Sequence, residues 1–207
     1  MTANRTERVQ RHYDRSAGSY DQIISWAEKV LFGGGREWVC SRARGEVLEI
    51  AVGTGRNLPF YPEDVRLTGI ELSPKMLDIA RRRAGELGRE ADLRPGDAQN
   101  LPFPDASFDT VVATLALCTI PDDRRAVAEA MRVLRPGGRL LLLEHVRSPI
   151  LPMRLLQRVL ESLTLLLDHD HLLREPLRHV QDTGLVVERL ERSKLGVVER
   201  LVARKPL

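Results

Sequence analysis

Val47-Leu48-Glu49-Ile50-Ala51-Val52-Gly53-Thr54-Gly55-Arg56-Asn57 decides the fold of this chain. Its apolar start reads as a short buried strand, and Gly53 and Gly55, lacking Cβ, permit a turn with backbone angles closed to other residues. The pattern predicts a helix directly after the turn. Strand, glycine turn and helix together are the unit with which a doubly wound α/β sheet brings bare backbone up to a nucleotide-like ligand.

Outward from this stretch, β-rich runs at 47–51, 66–70, 108–114 and 139–146 alternate with helical ones at 74–88 and 121–134. Such alternation is the mark of a parallel sheet covered on both faces. Ser73-Pro74 is a helix start, with Met76, Leu77, Ala80, Ala84 and Leu87 as its apolar stripe, and Gly88 ends it. Arg135-Pro136-Gly137-Gly138 reads as a turn launching the apolar strand from Leu140. Two further strands are expected near 185–191 and 197–204.

Residues 4–40 read as a helical prelude. Val9, His12 and Tyr13 share helical spacing, Gly18 interrupts it, and Tyr20, Ile23, Ile24, Ala27, Val30 and Leu31 resume it up to Gly33-Gly34-Gly35. A short helix through Trp38 follows. After Pro149 comes an amphipathic helix, with Leu155, Leu156, Val159, Leu160, Leu163, Leu166 and Leu167 on one side and Arg154, Arg158 and Glu161 on the other.

Composition sets the class. The chain has 207 residues, 43% hydrophobic and 29% charged, which suits one domain with a full core. No apolar run reaches the roughly 18 residues that cross a bilayer, and Met1 to Gln10 is polar, so a cytoplasmic protein is expected. The net charge of +3 is interspersed and comes with few aromatics, so no nucleic-acid partner is expected. Cys40 and Cys118 lie in apolar surroundings and read as buried reduced thiols, and no Cys/His spacing calls for a metal.

Several residues qualify for a site. Glu71 ends the strand Leu67-Thr68-Gly69-Ile70-Glu71, where a carboxylate accepts hydrogen bonds from a ribose diol. The third glycine of the dinucleotide pattern G-x-G-x-x-G would fall at Leu58, which argues against a pyrophosphate ligand and a nicotinamide-linked oxidoreductase. Ala51 occupies a position where a methyl group is tolerable with negative φ. Glu144-His145 ends a strand, and His145 is a candidate general base or a structurally bonded histidine. Asp168-His169-Asp170-His171 offers a His–Asp proton-handling pair, a metal site, or helix caps. His12 and His179 read as surface or packing residues, and Asp109, at the start of its strand, as structural.

The stretch at 47–57 resembles motif I of the class I S-adenosylmethionine (SAM) methyltransferases: Glu49, Gly53 and Gly55 match, and Ala51 stands where the first glycine is usual. Gly96-Asp97-Ala98 resembles that family's adenine-contacting loop, Phe103 to Val112 its fourth-strand motif, and Arg132 to Leu140 the turn before strand five. Tyr13-Asp14 and Ser19-Tyr20-Asp21 resemble the N-terminal lid of the UbiE-like members, with packing on the sheet as the other reading of both tyrosines.

The resemblance implies a Rossmann-like, seven-stranded, mostly parallel doubly wound sheet with helices on both faces. It implies one domain: a helical lid at 1–44, a SAM-binding core at 45–146, an inserted helical segment at 147–184 and terminal strands at 185–207. SAM is the implied cofactor, held by Tyr20, Glu49, Ala51, Gly53, Gly55, Asn57, Glu71, Leu72, Met76, Asp97, Ala98, Thr114 and Leu115. Glu49 is expected near the methionine ammonium or capping backbone N–H groups.

Leu117-Cys118-Thr119-Ile120-Pro121, Leu143-Glu144-His145-Val146 and the amphipathic segment resemble the UbiE, phospholipid N-methyltransferase and methyltransferase-like 7 thiol methyltransferase branch. Tyr13, Cys118 and His145 are the implied acceptor contacts, with His145, Asp168, His169 and His171 as catalytic candidates. The implied partner is a small lipophilic molecule, a thiol or amine, with quinol C-methylation, phospholipid N-methylation or mere SAM binding as alternatives. A thiolate forms near neutral pH and needs little base strength. The leucine-rich 152–167 segment is read as acceptor wall or lid, as packing on the sheet, or as a dimer contact. The oligomeric reading is monomer or homodimer, and contact with a membrane surface is not expected.

Overall fold

A computed structural model describes residues 2–167 and 170–207, with side chains undescribed at 2–4, 26, 27, 166 and 167. Its centre is a seven-stranded sheet in the order β3-β2-β1-β4-β5-β7-β6. The strands are β1 (Glu46–Ile50), β2 (Arg66–Glu71), β3 (Asp92–Pro95), β4 (Phe108–Thr114), β5 (Leu134–His145), β6 (Val186–Ser193) and β7 (Val198–Arg204). The first five run parallel, and β7 pairs antiparallel with both β5 and β6.

Period-two alternation divides the core. Leu48, Ile50, Val111, Ala113, Leu140 and Leu142 face α4 (Asp123–Val133) and α6 (Pro176–Asp182). Val47, Val112, Leu141 and Leu143 face α2 (Gly35–Cys40) and α3 (Pro74–Glu86) on the other side. Cys40 and Cys118 are both buried and free. Ser73 caps α3, accepting from Met76 N at 3.2 Å. Among the described residues no helix is long and apolar enough to cross a membrane.

Four expectations change. Gly18 does not break the first helix: α1 runs from Thr2 to Ala27, and a Cβ at Gly18 would meet nothing within 4 Å. Its glycine costs about 1 kcal/mol of helix propensity, which the contacts of α1 with the sheet domain offset. The helix expected after the glycine turn is a single 3-10 turn, Leu58–Phe60, because Pro59 and Pro62 remove donors and disfavour helix before them. The Arg135–Gly138 turn lies inside β5 as an irregularity: Gly137 takes φ 77°, its N–H donates to Lys205 O, and Gly138 O accepts from Lys205 N. β3 was not located from sequence, being four residues long with one buried side chain.

The fourth concerns α5 (Leu151–Leu167), whose leucine face, where described, does not pack on the sheet. Leu151, Leu155, Leu156, Val159, Leu160 and Leu163 are all exposed.

Candidate active site

The carboxyl ends of β1, β2 and β4 and the first helix enclose one cavity, with about 800 Å³ of empty space, its open mouth included. Ala51, Gly53, Glu71, Leu72, Met76, Asp97, Ala98, Thr114, Leu115 and Tyr20 all line it. Its floor is rigid for a stated reason. Glu71 is buried and accepts from Gly53 N at 2.9 Å and Ser73 N at 2.8 Å, so the carboxylate that ends β2 clasps the turn that ends β1. Burial raises its pKa and these N–H bonds oppose the rise. Asp97 accepts from Gln99 N at 2.9 Å, which fixes the loop after β3.

Ala51 does not have the negative φ at which a methyl group is readily tolerated. Its φ is +55°, the left-handed region that the usual glycine takes freely and that costs an alanine roughly 1 kcal/mol. Gly53, at φ +57°, is open on its Cβ side, so the cavity reaches the backbone there. Gly55 does not line the cavity: a Cβ on it would meet Leu58 at 2.8 Å and Ala80 Cα at 3.1 Å, so this glycine admits α3 to the turn.

Glu49 and Asn57 also lie behind the wall. Glu49 accepts from Asn57 Nδ2 at 2.7 Å and Tyr61 OH at 2.9 Å, so side chains and not backbone N–H groups satisfy it. Burial pushes its pKa up to about 7 against those two bonds. Arg36 reaches over the group, donating to Asn57 Oδ1 at 2.8 Å and Thr114 Oγ1 at 2.9 Å.

The first helix is latched over this cavity by acids that follow its tyrosines. Asp14 accepts from Ser73 Oγ at 2.6 Å and Lys75 N at 3.3 Å, and Asp21 accepts from Thr54 Oγ1 at 2.6 Å and pairs with Arg83. Glu28 pairs with Arg36 and, at 2.8 Å, with Arg56. Tyr13 and Tyr20 stand edge to face, centroids 6.1 Å apart. Seven residues separate each Tyr-Asp pair, so both fall on one face of α1. That spacing is the signal for Asp14 and Asp21, whereas Arg36 after the three glycines carries none.

A second cavity, about 690 Å³ with its mouth, abuts the first. The two share Tyr13, Tyr20, Leu115 and Thr119. Ile23, Ile24 and Phe32 make its wall apolar, Cys118, His145 and Asp170 stand together on it, and His12 and Ser16 of α1 also line it. His145 Nε2 lies 3.0 Å from Asp170 Oδ1, and His145 Nδ1 is buried with no partner among the described residues. Burial works to lower the His145 pKa, but the Asp170 bond and the charges of Asp170 and Glu144 outweigh it, and the net shift is upward. For Asp170 burial works upward, and the bonds from His145 and Cys118 with the His145 charge pull it below the usual carboxylate range. Burial first, then the same acids, push the Cys118 thiol well up. Glu144 accepts from Ala116 N and Leu117 N, each at 2.9 Å, and burial raises it to about 7.

The polar cluster after α5 divides. Asp170 joins His145, a pairing across the chain that its local spacing does not reveal. His171 lines neither cavity; its N–H donates to Cys118 O at 3.0 Å, and burial with nearby Arg174 lowers its pKa. Asp168 and His169 lie outside the described residues. Cys118, His145 and Asp170 each offer one ligand atom within 4.8 Å of one another, the one such trio among the described residues. Asp109 is structural, accepting from Glu46 N at 2.9 Å and pairing with Arg135 at 2.8 Å.

Comparison with known proteins agrees with this geometry. Residues 48–142 match the family described as "Methyltransferase domain". The chain is 42% identical over 118 residues to a phosphatidylethanolamine N-methyltransferase of Cereibacter sphaeroides, covering 56% of this chain and 58% of that one. It is 33% identical to a demethylmenaquinone methyltransferase of Thermotoga maritima, covering 70% and 64%. It is 32% identical to the thiol S-methyltransferase TMT1A of Homo sapiens, covering 62% and 54%. The chain thus spans about half to two thirds of the length of these relatives. In fold it is similar to a SAM-dependent methyltransferase structure from Thermotoga maritima, with a TM-score of 0.73 at 22% identity, covering 95% of this chain and 99% of that one. Motif I, the strand-end acid, the sheet order and the matched segment agree, and residues 48–142 form a methyltransferase domain similar to those of the class I SAM-dependent enzymes.

Proposed function

We propose that the chain transfers the methyl group of SAM to a small lipophilic acceptor, a thiol or an amine, held in the second cavity. The observation that carries this is the abutment of the two cavities across Tyr13, Tyr20, Leu115 and Thr119. The first cavity fits SAM. Glu71 has the position for a ribose diol, Asp97 and Ala98 that for an adenine edge, and the open Cβ side of Gly53 admits a ligand to the backbone. No helix N-terminus stands behind the glycine turn to hold a pyrophosphate.

Bound there, SAM supplies a methyl carbon already activated by its sulfonium sulfur. The protein then has to align the acceptor and take its proton, so orientation is the larger contribution. The shared aromatic rings and Leu115 confine the acceptor and keep water out. Transfer to an acceptor sulfur or nitrogen would break the methyl–sulfonium bond and leave its electron pair on the sulfonium sulfur. The acceptor proton passes to His145. Nε2 is bonded to Asp170, so the His145–Asp170 pair on the cavity wall takes up the proton as a unit, while Nδ1 is buried away from the cavity without a partner among the described residues. Cys118 is a wall residue, since burial holds it as a thiol.

A panel of thiols, amines, phenols and quinols read by mass spectrometry tests the proposal. Methylation of a lipophilic thiol or amine is expected, and SAM binding without methylation of any panel member would overturn it in favour of a SAM-binding protein.

A further inference from the structure

The amphipathic helix α5 is mounted the wrong way round for a protein in water. At 3.6 residues per turn, Leu151, Leu155, Leu156, Val159, Leu160 and Leu163 occupy about half of its circumference. That half faces solvent, with Val159 68%, Leu151 58% and Leu163 56% exposed. The opposite, polar half is the attachment. Gln157 is 5% exposed, donates to Val146 O at 2.9 Å and accepts from Ser148 N at 2.8 Å. Glu161 accepts from Leu173 N at 3.1 Å, and Thr164 donates to Asp170 O at 2.8 Å. A helix that uses its hydrogen-bonding side to hold on to its own protein presents its leucines to something else.

Charge and position narrow what that is. Arg154 and Arg158 border the apolar half, and neither has an ion pair among the described residues. The polar side of α5 is attached beside the cavity that holds His145. Ile23 lines it and is exposed, and Asp170 on its wall is bonded to Thr164 of α5. Val30 and Leu31, near Ile23, are exposed as well, with Lys29 beside them.

We propose that α5 is a docking surface for an anionic lipid bilayer, its leucines entering the acyl boundary and Arg154 and Arg158 meeting lipid phosphates. The helix lies in the plane of the interface and crosses nothing. Membrane contact, possible from the sequence but not expected there, thus becomes a specific surface, and it requires no particular acceptor.

Co-sedimentation of the full chain with vesicles of phosphatidylcholine, alone or mixed with phosphatidylglycerol, tests it without SAM. Wild type is expected to pellet with the mixed vesicles and to be released by salt. Leu155→Gln with Val159→Gln should bind at least roughly tenfold more weakly, and Arg154→Glu with Arg158→Glu should lose the preference for phosphatidylglycerol. Unchanged circular dichroism and SAM affinity would show that both variants are folded. The proposal is overturned if wild type stays in the supernatant with both vesicles, or if the glutamine variant pellets as well as wild type. It is also overturned if sedimentation velocity finds a dimer that the glutamine substitutions dissolve, since a second copy then covers the helix.

Discussion

The two cavities share a wall but are built by different means. The floor of the cofactor cavity comes from strand ends close in sequence and is fixed by backbone N–H groups: Gly53 and Ser73 donate to Glu71, and Gln99 N to Asp97. The acceptor cavity is assembled from remote pieces, including the first helix, Phe32, the loop after β4, the end of β5 and the segment after α5. Its chemistry rests on one side-chain pair, His145 with Asp170. Backbone clasps at strand ends give the same site to any sequence with the right glycines and acid, whereas side-chain pairs across loops let the acceptor vary. The relatives are named for different acceptors: phosphatidylethanolamine, demethylmenaquinone and a thiol.

The contrast predicts separable losses. Glu71→Ala removes the clasp on Gly53 and Ser73 together with the carboxylate for the ribose, and should weaken SAM binding roughly 1000-fold by calorimetry, about 4 kcal/mol. An unchanged affinity would break the assignment. His145→Ala should lower kcat roughly 100-fold and leave SAM affinity within a factor of about two, as expected for loss of a general base. The pH profile sharpens this. The His145 pKa is raised, so its proton-accepting form grows only as pH climbs past that raised value, and kcat/KM should rise there. In Asp170→Asn the raising bond and charge are lost while burial remains, so the rise should move to lower pH. Ala51→Gly is the smallest effect: relief of the left-handed backbone should stabilise the protein by about 1 kcal/mol in thermal unfolding, with affinity unchanged.

The sequence was readable where function depends on local spacing. The glycine turn, Glu71 and the loop at 96–98 sit at fixed distances along strands and could be placed before any coordinates. Their roles were less evident: Gly55 admits α3, Asn57 holds Glu49, and Gly53 N–H serves Glu71. The acceptor half was legible only in parts. His145 was identified from its place at the end of β5, but its partner came from packing that brings residues 145 and 170 together. The helix expected after the glycine turn was lost to Pro59, which a periodicity reading passes over. The leucine face of α5 was visible as a pattern, yet which way the helix would be mounted depends on what Gln157, Glu161 and Thr164 bond on its other side.

The latch on α1 imposes an order on events. Ser73 gives its hydroxyl to Asp14 of the first helix and its N–H to Glu71 of the floor, so the roof and the floor of the cofactor cavity are joined through a single residue. The same helix supplies Tyr13, Tyr20 and Ile23 to the acceptor cavity. A methyl donor that seats against Glu71 therefore also steadies the wall against which the acceptor must lie. On the proposed function, the donor is expected to bind before the acceptor and the spent cofactor to leave last, an order that product-inhibition kinetics check.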